Sequence, residues 1–392
     1  MKKVFALVMT AMMLMAMLAG CGTSGSGDTT AAAGSNTIKI GLSAPLTGGN
    51  AVYGEAVKWG MEVAVEEINE AAGDDGLKIE FKTEDDESDG EKALNCYNNL
   101  KDWGMQIFAG AVTTGPCNTI APEAVADQIF MMTPSGSAES IALAGANIFQ
   151  MCFTDPNQGA ASAELIKAQN LGTTIGVIYD SSTDYSTGIW KSFKAKAEEL
   201  GLNVVEEAVT SFTADSASEM TTQLTKCKEA GCDLVFLPIY ATEASVVLNN
   251  TNSMEYSPVF LGCDGMDGIL TVEGFDTALA EGLIMMTPFA ADAEDEATQS
   301  FVEKFKEKSG GVTPNQFAAD GYDVIKAIYA GCLEKGINGD TSATDACAVL
   351  TEYFATATYS GLTGSNMTWD ENGMVSKIPT AVEVKDGAYV KK

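Results

Sequence analysis

Residues 37–43 read TIKIGLS, an alternation of side-chain types that predicts a β-strand. Residues 54–71 follow with Val57, Met61, Ala64, Val65 and Ile68 at helical spacing, and 77–83 are strand-like again. That strand, helix, strand order decides the fold class. It repeats outward through a helix over 91–103, a strand over 106–109, a helix over 116–127 with Pro116 in its first turn, and a strand over 129–133. Strands that alternate with helices of ten or more residues form parallel βαβ units, with right-handed crossovers and a sheet covered on both faces.

A second run of the same kind begins after Asn157. Helices over 159–169, 185–200, 218–229 and 243–250 interleave with strands over 174–179, 203–209, 234–238, 259–262 and 283–287, enough for a separate sheet. The expected fold class is therefore α/β, with two doubly wound parallel-sheet lobes. Helices recur over 296–308, 316–333 and 343–355, with little strand between them until 377–384. Helices without a sheet of their own must cover one already built, so the chain is expected to return to the first lobe.

At the start of the chain Lys2 and Lys3 precede an apolar run over 4–17, and Leu18-Ala19-Gly20-Cys21 follows at once. This is the pattern of a lipoprotein signal peptide over 1–20. The expectation is export, cleavage before Cys21 and lipid on its thiol, which would anchor the protein to a membrane. The apolar run is short for a span of ~20 residues. Residues 22–36 are Gly, Ser, Thr and Ala with one Asp and one Asn, and with Cys21 they predict a flexible tether.

The full chain has a formal charge of −31, histidine is absent, and all 23 basic residues are lysine. Nucleic acid is excluded as a partner, since phosphate would be repelled and no basic stripe exists to release counterions. Without histidine there can be no Ser-His-Asp triad, Cys-His pair or imidazole metal site; without arginine no guanidinium fork can grip an anion. No G-x-S-x-G elbow stands at a strand-to-helix turn, and Gly48-Gly49 lacks the Gly-Lys of a phosphate loop. No enzyme, cofactor or metal is expected. Beyond Cys21 there are eight cysteines, Cys96, Cys117, Cys152, Cys227, Cys232, Cys263, Cys332 and Cys347, with no C-x₂-C zinc spacing. Disulfides and buried thiols both remain open. The acidic runs 84–87 and 292–296 precede helices and read as solvated charges favoured by the helix dipole. Asn315, Gln316 and the helical phenylalanines read as packing.

Ligands of doubly wound sheets sit beyond the carboxyl ends of strands, where amides of following helices converge. Thr113, Thr114, Ser135 and Ser137 stand directly after expected strands and before helices. Hydroxyls there can join helix amides to hold a carboxylate without arginine. The alternative is that they serve only as N-caps.

The order KIGLSAPLTG…YG, AGAVTTGP, TPSGSAE, IYDSSTDYSTG and FLGCDG resembles the leucine/isoleucine/valine-binding family of ABC-transporter substrate-binding proteins, of the type I periplasmic-binding-protein fold. The resemblance covers nearly all of 37–392. It implies a clamshell with a multi-crossing hinge near 151–154 and 287–290, lobe 1 being 37–152 with 289–378 and lobe 2 being 153–288 with 379–392. An amino acid would sit between the lobes. Thr114 matches the carboxylate-binding loop, with Thr113 beside it, and Ser135 and Ser137 match a loop supplying a carbonyl and a hydroxyl. Tyr53, Tyr185 and Tyr240 match an aromatic wall, and Asp264 matches the acid that binds the ammonium. Asp264 is shorter than the glutamate of some members, Gly136 stands where a small methyl side chain is common, and Ser88 stands where some members have a disulfide cysteine. The resemblance thus implies a non-catalytic, monomeric receptor that delivers a neutral, apolar amino acid to an ABC permease. Another small solute, such as an amide, a short peptide or an aromatic acid, is the same-fold alternative, and an exported hydrolase is the alternative of another class.

Overall fold

The computed structural model describes residues 35–392, so the expected signal peptide, Cys21 and most of the tether lie outside the described residues. The run that decides the fold forms β1 (Thr37–Ala44), and its Ile38, Ile40 and Leu42 are fully buried. Burial on both faces suits an interior strand of a parallel sheet. α1 (Ala51–Ala72), β2 (Lys78–Asp85), α2 (Gly90–Asp102), β3 (Ile107–Phe108), α3 (Thr114–Asp127), β4 (Phe130–Thr133), α4 (Glu139–Ala142) and β5 (Ile148–Gln150) follow. The five strands make one parallel sheet of order β2-β1-β3-β4-β5.

The chain then builds a second sheet. It runs α5 (Asp155–Gln169), β6 (Ile175–Asp180), α6 (Asp184–Leu200), β7 (Val204–Phe212), α7 (Thr221–Glu229), β8 (Leu234–Leu237), α8 (Ala241–Asn252), β9 (Val259–Gly262) and β10 (Ile284–Thr287). After this come α9 (Glu296–Ser309), α10 (Gln316–Lys335), α11 (Ala343–Phe354), the hairpin β11 (Tyr359–Gly361) and β12 (Gly364–Met367), and finally β13 (Thr380–Lys385) and β14 (Ala388–Lys391). The second sheet has the order β14-β13-β10-β9-β8-β6-β7, parallel from β10 to β7 and antiparallel at β13 and β14.

Helices α9 to α11 return to the first sheet. A Cβ at Gly60 would fall 2.0 Å from the Ala318 carbonyl, so only glycine lets α1 and α10 approach this closely. Lys304 of α9 pairs with Glu67 of α1 at 2.7 Å, and Phe354 of α11 stacks 5.4 Å from Phe130 of β4. The chain therefore passes between the sheets three times: after β5, after β10 and before β13.

Four features were not read from the sequence. β5 is three residues long, too short to show a period. The β11–β12 hairpin sets Tyr359, Leu362 and Met367 among Ser, Thr, Gly and Asn, with no alternation to mark a strand. β14 follows Asp386-Gly387, both at positive φ, a two-residue Asp-Gly turn of the kind that closes hairpins. α5 starts at Asp155, a full turn before the expected 159. The acidic run 84–87 is also not all solvated: Asp86 is fully buried and accepts hydrogen bonds from Ser43 Oγ (2.7 Å) and the Ser88 amide (2.8 Å). Burial pushes its carboxyl up to about 6. The eight described cysteines are all buried free thiols.

Candidate functional site

Both parallel sheets point strand ends at one place. On the first sheet, Thr113 occupies the N-cap of α3, yet its hydroxyl makes no cap bond and turns to Ser88 Oγ at 3.1 Å. The first-turn amides of α3 and the positive end of its dipole are thus left for an anion. The neighbouring loop is held rigidly beside them. Thr133 Oγ1 donates to the Ala111 carbonyl (2.7 Å) and accepts from the Gly136 amide (2.8 Å), while Ser135 Oγ donates to the Val112 carbonyl (2.7 Å). Gln150 Nε2 donates to the carbonyls of Gly136 and Ala138.

On the second sheet, β9 ends in a turn that carries Asp264, only 3% exposed. Its Oδ1 accepts from Tyr185 Oη at 2.6 Å, its amide donates to Gln158 Oε1 at 3.0 Å, and its carbonyl accepts from Gln316 Nε2 at 3.0 Å. Burial pushes the Asp264 carboxyl up to about 6, and the hydrogen bond from Tyr185 limits the rise. Four aromatic rings close the space: Tyr185 stacks on Tyr240 at 4.6 Å, Tyr240 lies 5.4 Å from Tyr53, and Tyr53 meets Phe317 edge-on at 4.8 Å. Burial holds the hydroxyls of Tyr53, Tyr185 and Tyr240 well above their ordinary range, so all three stay protonated. Tyr53 spans the gap between the halves, donating to the Gly265 carbonyl and accepting from the Ala241 amide at 2.8 Å.

Tyr53, Thr113, Thr114, Ser135, Tyr185, Tyr240 and Asp264 together with Val112, Gly265 and Phe317 line one tight cavity. Seven of the eight residues singled out in the sequence thus meet in one cavity. The eighth, Ser137, does not line it; it is 1% exposed and lies beside the Asp155 carboxyl. Phe317 and Gln316 are corrections to the packing reading, since one walls the cavity and the other holds the Asp264 turn. Their signal was Asn315, which caps α10 through the Ala318 amide (3.2 Å) and so aims the first turn at the cleft. Two larger depressions, of about 1010 and 2920 Å³, contain none of these seven residues. Among the described residues no cluster of acidic or cysteine side chains could hold a metal ion, and no helix is long and apolar enough to cross a membrane.

A cleft between two doubly wound sheets, with a helix N-terminus on one side and a buried acid on the other, is an arrangement able to bind a small solute. The periplasmic binding protein family matches residues 37–388, and the chain belongs to that family. It is 27% identical over 311 residues, 78% of this chain and 81% of the relative, to the Leu/Ile/Val-binding protein homolog 3 of Brucella melitensis. It is 27% identical over 342 residues, 86% of this chain and 87% of the relative, to the leucine-, isoleucine-, valine-, threonine- and alanine-binding protein of Pseudomonas aeruginosa. The solved leucine-binding protein LivK of Thermotoga maritima superposes with a TM-score of 0.79 at 25% identity, covering 91% of this chain and 97% of its own.

Proposed function

We propose that the chain is the extracytoplasmic receptor of an ABC importer, capturing a neutral branched-chain or other apolar amino acid and delivering it to the permease. The ligand carboxylate sits at the N-terminus of α3 against Thr113 and Thr114, the ammonium against Asp264, and the side chain against Tyr53, Tyr240 and Phe317. Residues 37–152 with 289–378 act as one lobe and 153–288 with 379–392 as the other, and the three crossings act as the hinge. Capture shifts an open–closed equilibrium, because only the closed form brings both seats to one ligand. Lipid on Cys21 tethers the receptor as a monomer near its permease.

The observation that carries this reading is a buried carboxylate and an uncapped helix N-terminus on opposite walls of one small cavity. A zwitterion of the right span satisfies both; an amine-free acid such as benzoate leaves Asp264 buried without a cation, at a cost of several kcal/mol. Thermal-shift and calorimetric titration of residues 35–392 with leucine, isoleucine, valine and benzoate tests it. The three amino acids should raise the midpoint in proportion to RT ln(1 + [L]/Kd), and benzoate should not. A shift with benzoate alone would replace the amino acid by an aromatic acid. Scattering should show a smaller radius of gyration on saturation with ligand. Mass spectrometry of the native N-terminus tests the anchor, and an unmodified mature Cys21 would end that part of the proposal.

A further inference from the structure

The end of α7 closes on a pattern of bonds that sets two cysteines side by side. Gly231 follows the helix at φ 69°, its amide donates to the Lys228 carbonyl at 3.1 Å, and the Cys232 amide donates back to the Cys227 carbonyl at 3.0 Å. This paired closure brings a side chain of the last turn against one just past the helix, a contact ordinarily filled by two apolar groups. Here both are cysteine, in the run Cys227-Lys228-Glu229-Ala230-Gly231-Cys232.

The contact is between the sulfurs themselves. A Cβ at Gly176 of β6 would lie 2.8 Å from Cys227 Sγ and 3.2 Å from Cys232 Sγ, so both sulfurs crowd onto a residue that has no side chain. The Cys227 thiol donates to the Cys232 sulfur, which favours loss of the proton from Cys232; that bond, and then burial, oppose it at Cys227. Cys227 Sγ also lies 3.7 Å from the Ala208 carbonyl of β7. Cys96, Cys117 and Cys152, by contrast, turn their sulfurs to oxygen atoms of Asp85, Thr133 and Gly136. Cys227 is 0% and Cys232 3% exposed, yet Gly231 and Asp233 on either side of Cys232 are exposed, at the end of a helix of nine residues. The last turn of such a helix opens at far lower cost than the sheet beneath it, which admits a small oxidant.

We propose that Cys227 and Cys232 are a redox pair that closes to a disulfide, fastening the end of α7 to the start of β8. The oxidant is a low-molecular-weight disulfide. The Cys232 thiolate attacks one of its sulfurs and expels one thiolate. Cys227, its proton lost, then attacks Cys232 Sγ in the mixed disulfide and expels the second. One S–S bond forms in the protein, the oxidant's breaks, two electrons pass to the oxidant, and the two cysteine protons end on the two released thiols. The new bond lies at the amino end of β8, whereas the cavity lies beyond the carboxyl ends of the strands, so closure fastens the second sheet without touching the ligand's walls. The proposal is independent of which ligand the cavity takes.

Incubation of the folded protein with oxidised glutathione, followed by acid quenching, alkylation in denaturant and peptide mass spectrometry, tests this. Cys227 and Cys232 should escape alkylation and appear joined to each other, and dithiothreitol should return both to the alkylated pool, while the other six described cysteines are alkylated throughout. Cys227→Ser should trap Cys232 as a mixed disulfide with glutathione, and Cys232→Ser should leave Cys227 reduced. The oxidised parent should melt about 3 °C above the reduced one, because the bond closes a short loop in the unfolded chain. Cys227 and Cys232 alkylated as fully as the other six, or each carrying glutathione without joining, overturns the proposal, and a joined pair that melts no higher overturns the fastening. Should either serine variant fail to fold, the peptide map of the parent decides alone.

Discussion

The two walls of the cavity solve opposite problems by different means. In the proposed reading, the wall built on the first sheet meets the ligand's carboxylate with no formal charge of its own, through the amides of α3 and the hydroxyls of Thr113 and Thr114. In the same reading, the wall built on the second sheet meets the ammonium with the buried acid Asp264. A chain without arginine has no fork to offer a carboxylate, so it uses a fixed dipole, whose strength is independent of pH. Acidic side chains are plentiful, and one buried beside a protonated tyrosine is strong but titratable. Sensitivity to charge substitution and to pH should therefore be concentrated on the second wall.

The largest break in that asymmetry comes from Asp264→Asn. The isosteric change keeps the Tyr185 bond but strands a desolvated ammonium, at a cost of roughly 3–5 kcal/mol. Binding of leucine should weaken by about two to four decades, at ~1.4 kcal/mol per decade, while the unliganded protein melts no earlier. Calorimetric affinity within about threefold of the parent would place the cation seat elsewhere. A smaller effect follows from acid. Ligand binding needs Asp264 ionised, and its carboxyl titrates near 6 in the empty site. Each unit of pH below 6 should weaken leucine binding about tenfold in the parent, and Asp264→Asn should lose that break. Removing one hydroxyl from the other wall does less. Thr114→Val should cost about 1 kcal/mol, or roughly fivefold in affinity, with the pH profile of the parent unchanged. A profile displaced by Thr114→Val would mean that the two seats are not separate.

The two walls also differed in how far the sequence revealed them. Hydroxyl residues directly after a strand and before a helix have a position and a chemistry that fit an anion seat, so Thr113, Thr114, Ser135 and Ser137 stand out without any relative for comparison. Three of those four line the cavity. The second wall was visible only through resemblance, which gave Tyr185, Tyr240 and Asp264. Phe317 and Asp86 were hidden, because the way a side chain faces is decided by packing and not by local pattern. One is a core-type residue facing a cavity, and the other is a member of an acidic run turned inward by Ser43. The parallel cores of both sheets, by contrast, follow from periodicity, because ten or more residues of helix between strands allow few other folds; only the short edge strands β5 and β14 escaped it.

The same burial that suits a cation should cost stability when no cation is present, and the effect has an unusual sign. Asp86 and Asp264 titrate near 6 and Asp267 near 7, each raised first by burial, against ~3.9 for an aspartate in an unfolded chain. Between about pH 4 and pH 7 the folded protein therefore binds more protons than the unfolded chain. Stability must then fall as pH rises through that window, the reverse of a carboxylate stabilised by a partner. The unliganded protein should melt several degrees higher at pH 5 than at pH 8. Measurement in 0.5 M salt separates this from surface self-repulsion, since salt screens exposed charges but not buried ones. Saturating leucine should flatten the slope, because a bound ammonium keeps Asp264 ionised and removes its share of the penalty. Asp264→Asn should flatten it by a similar amount with no ligand at all. A midpoint that stays level or climbs from pH 5 to pH 8 in high salt would show that these acids are ionised at little cost when empty, and that the second wall is no more sensitive to charge than the first.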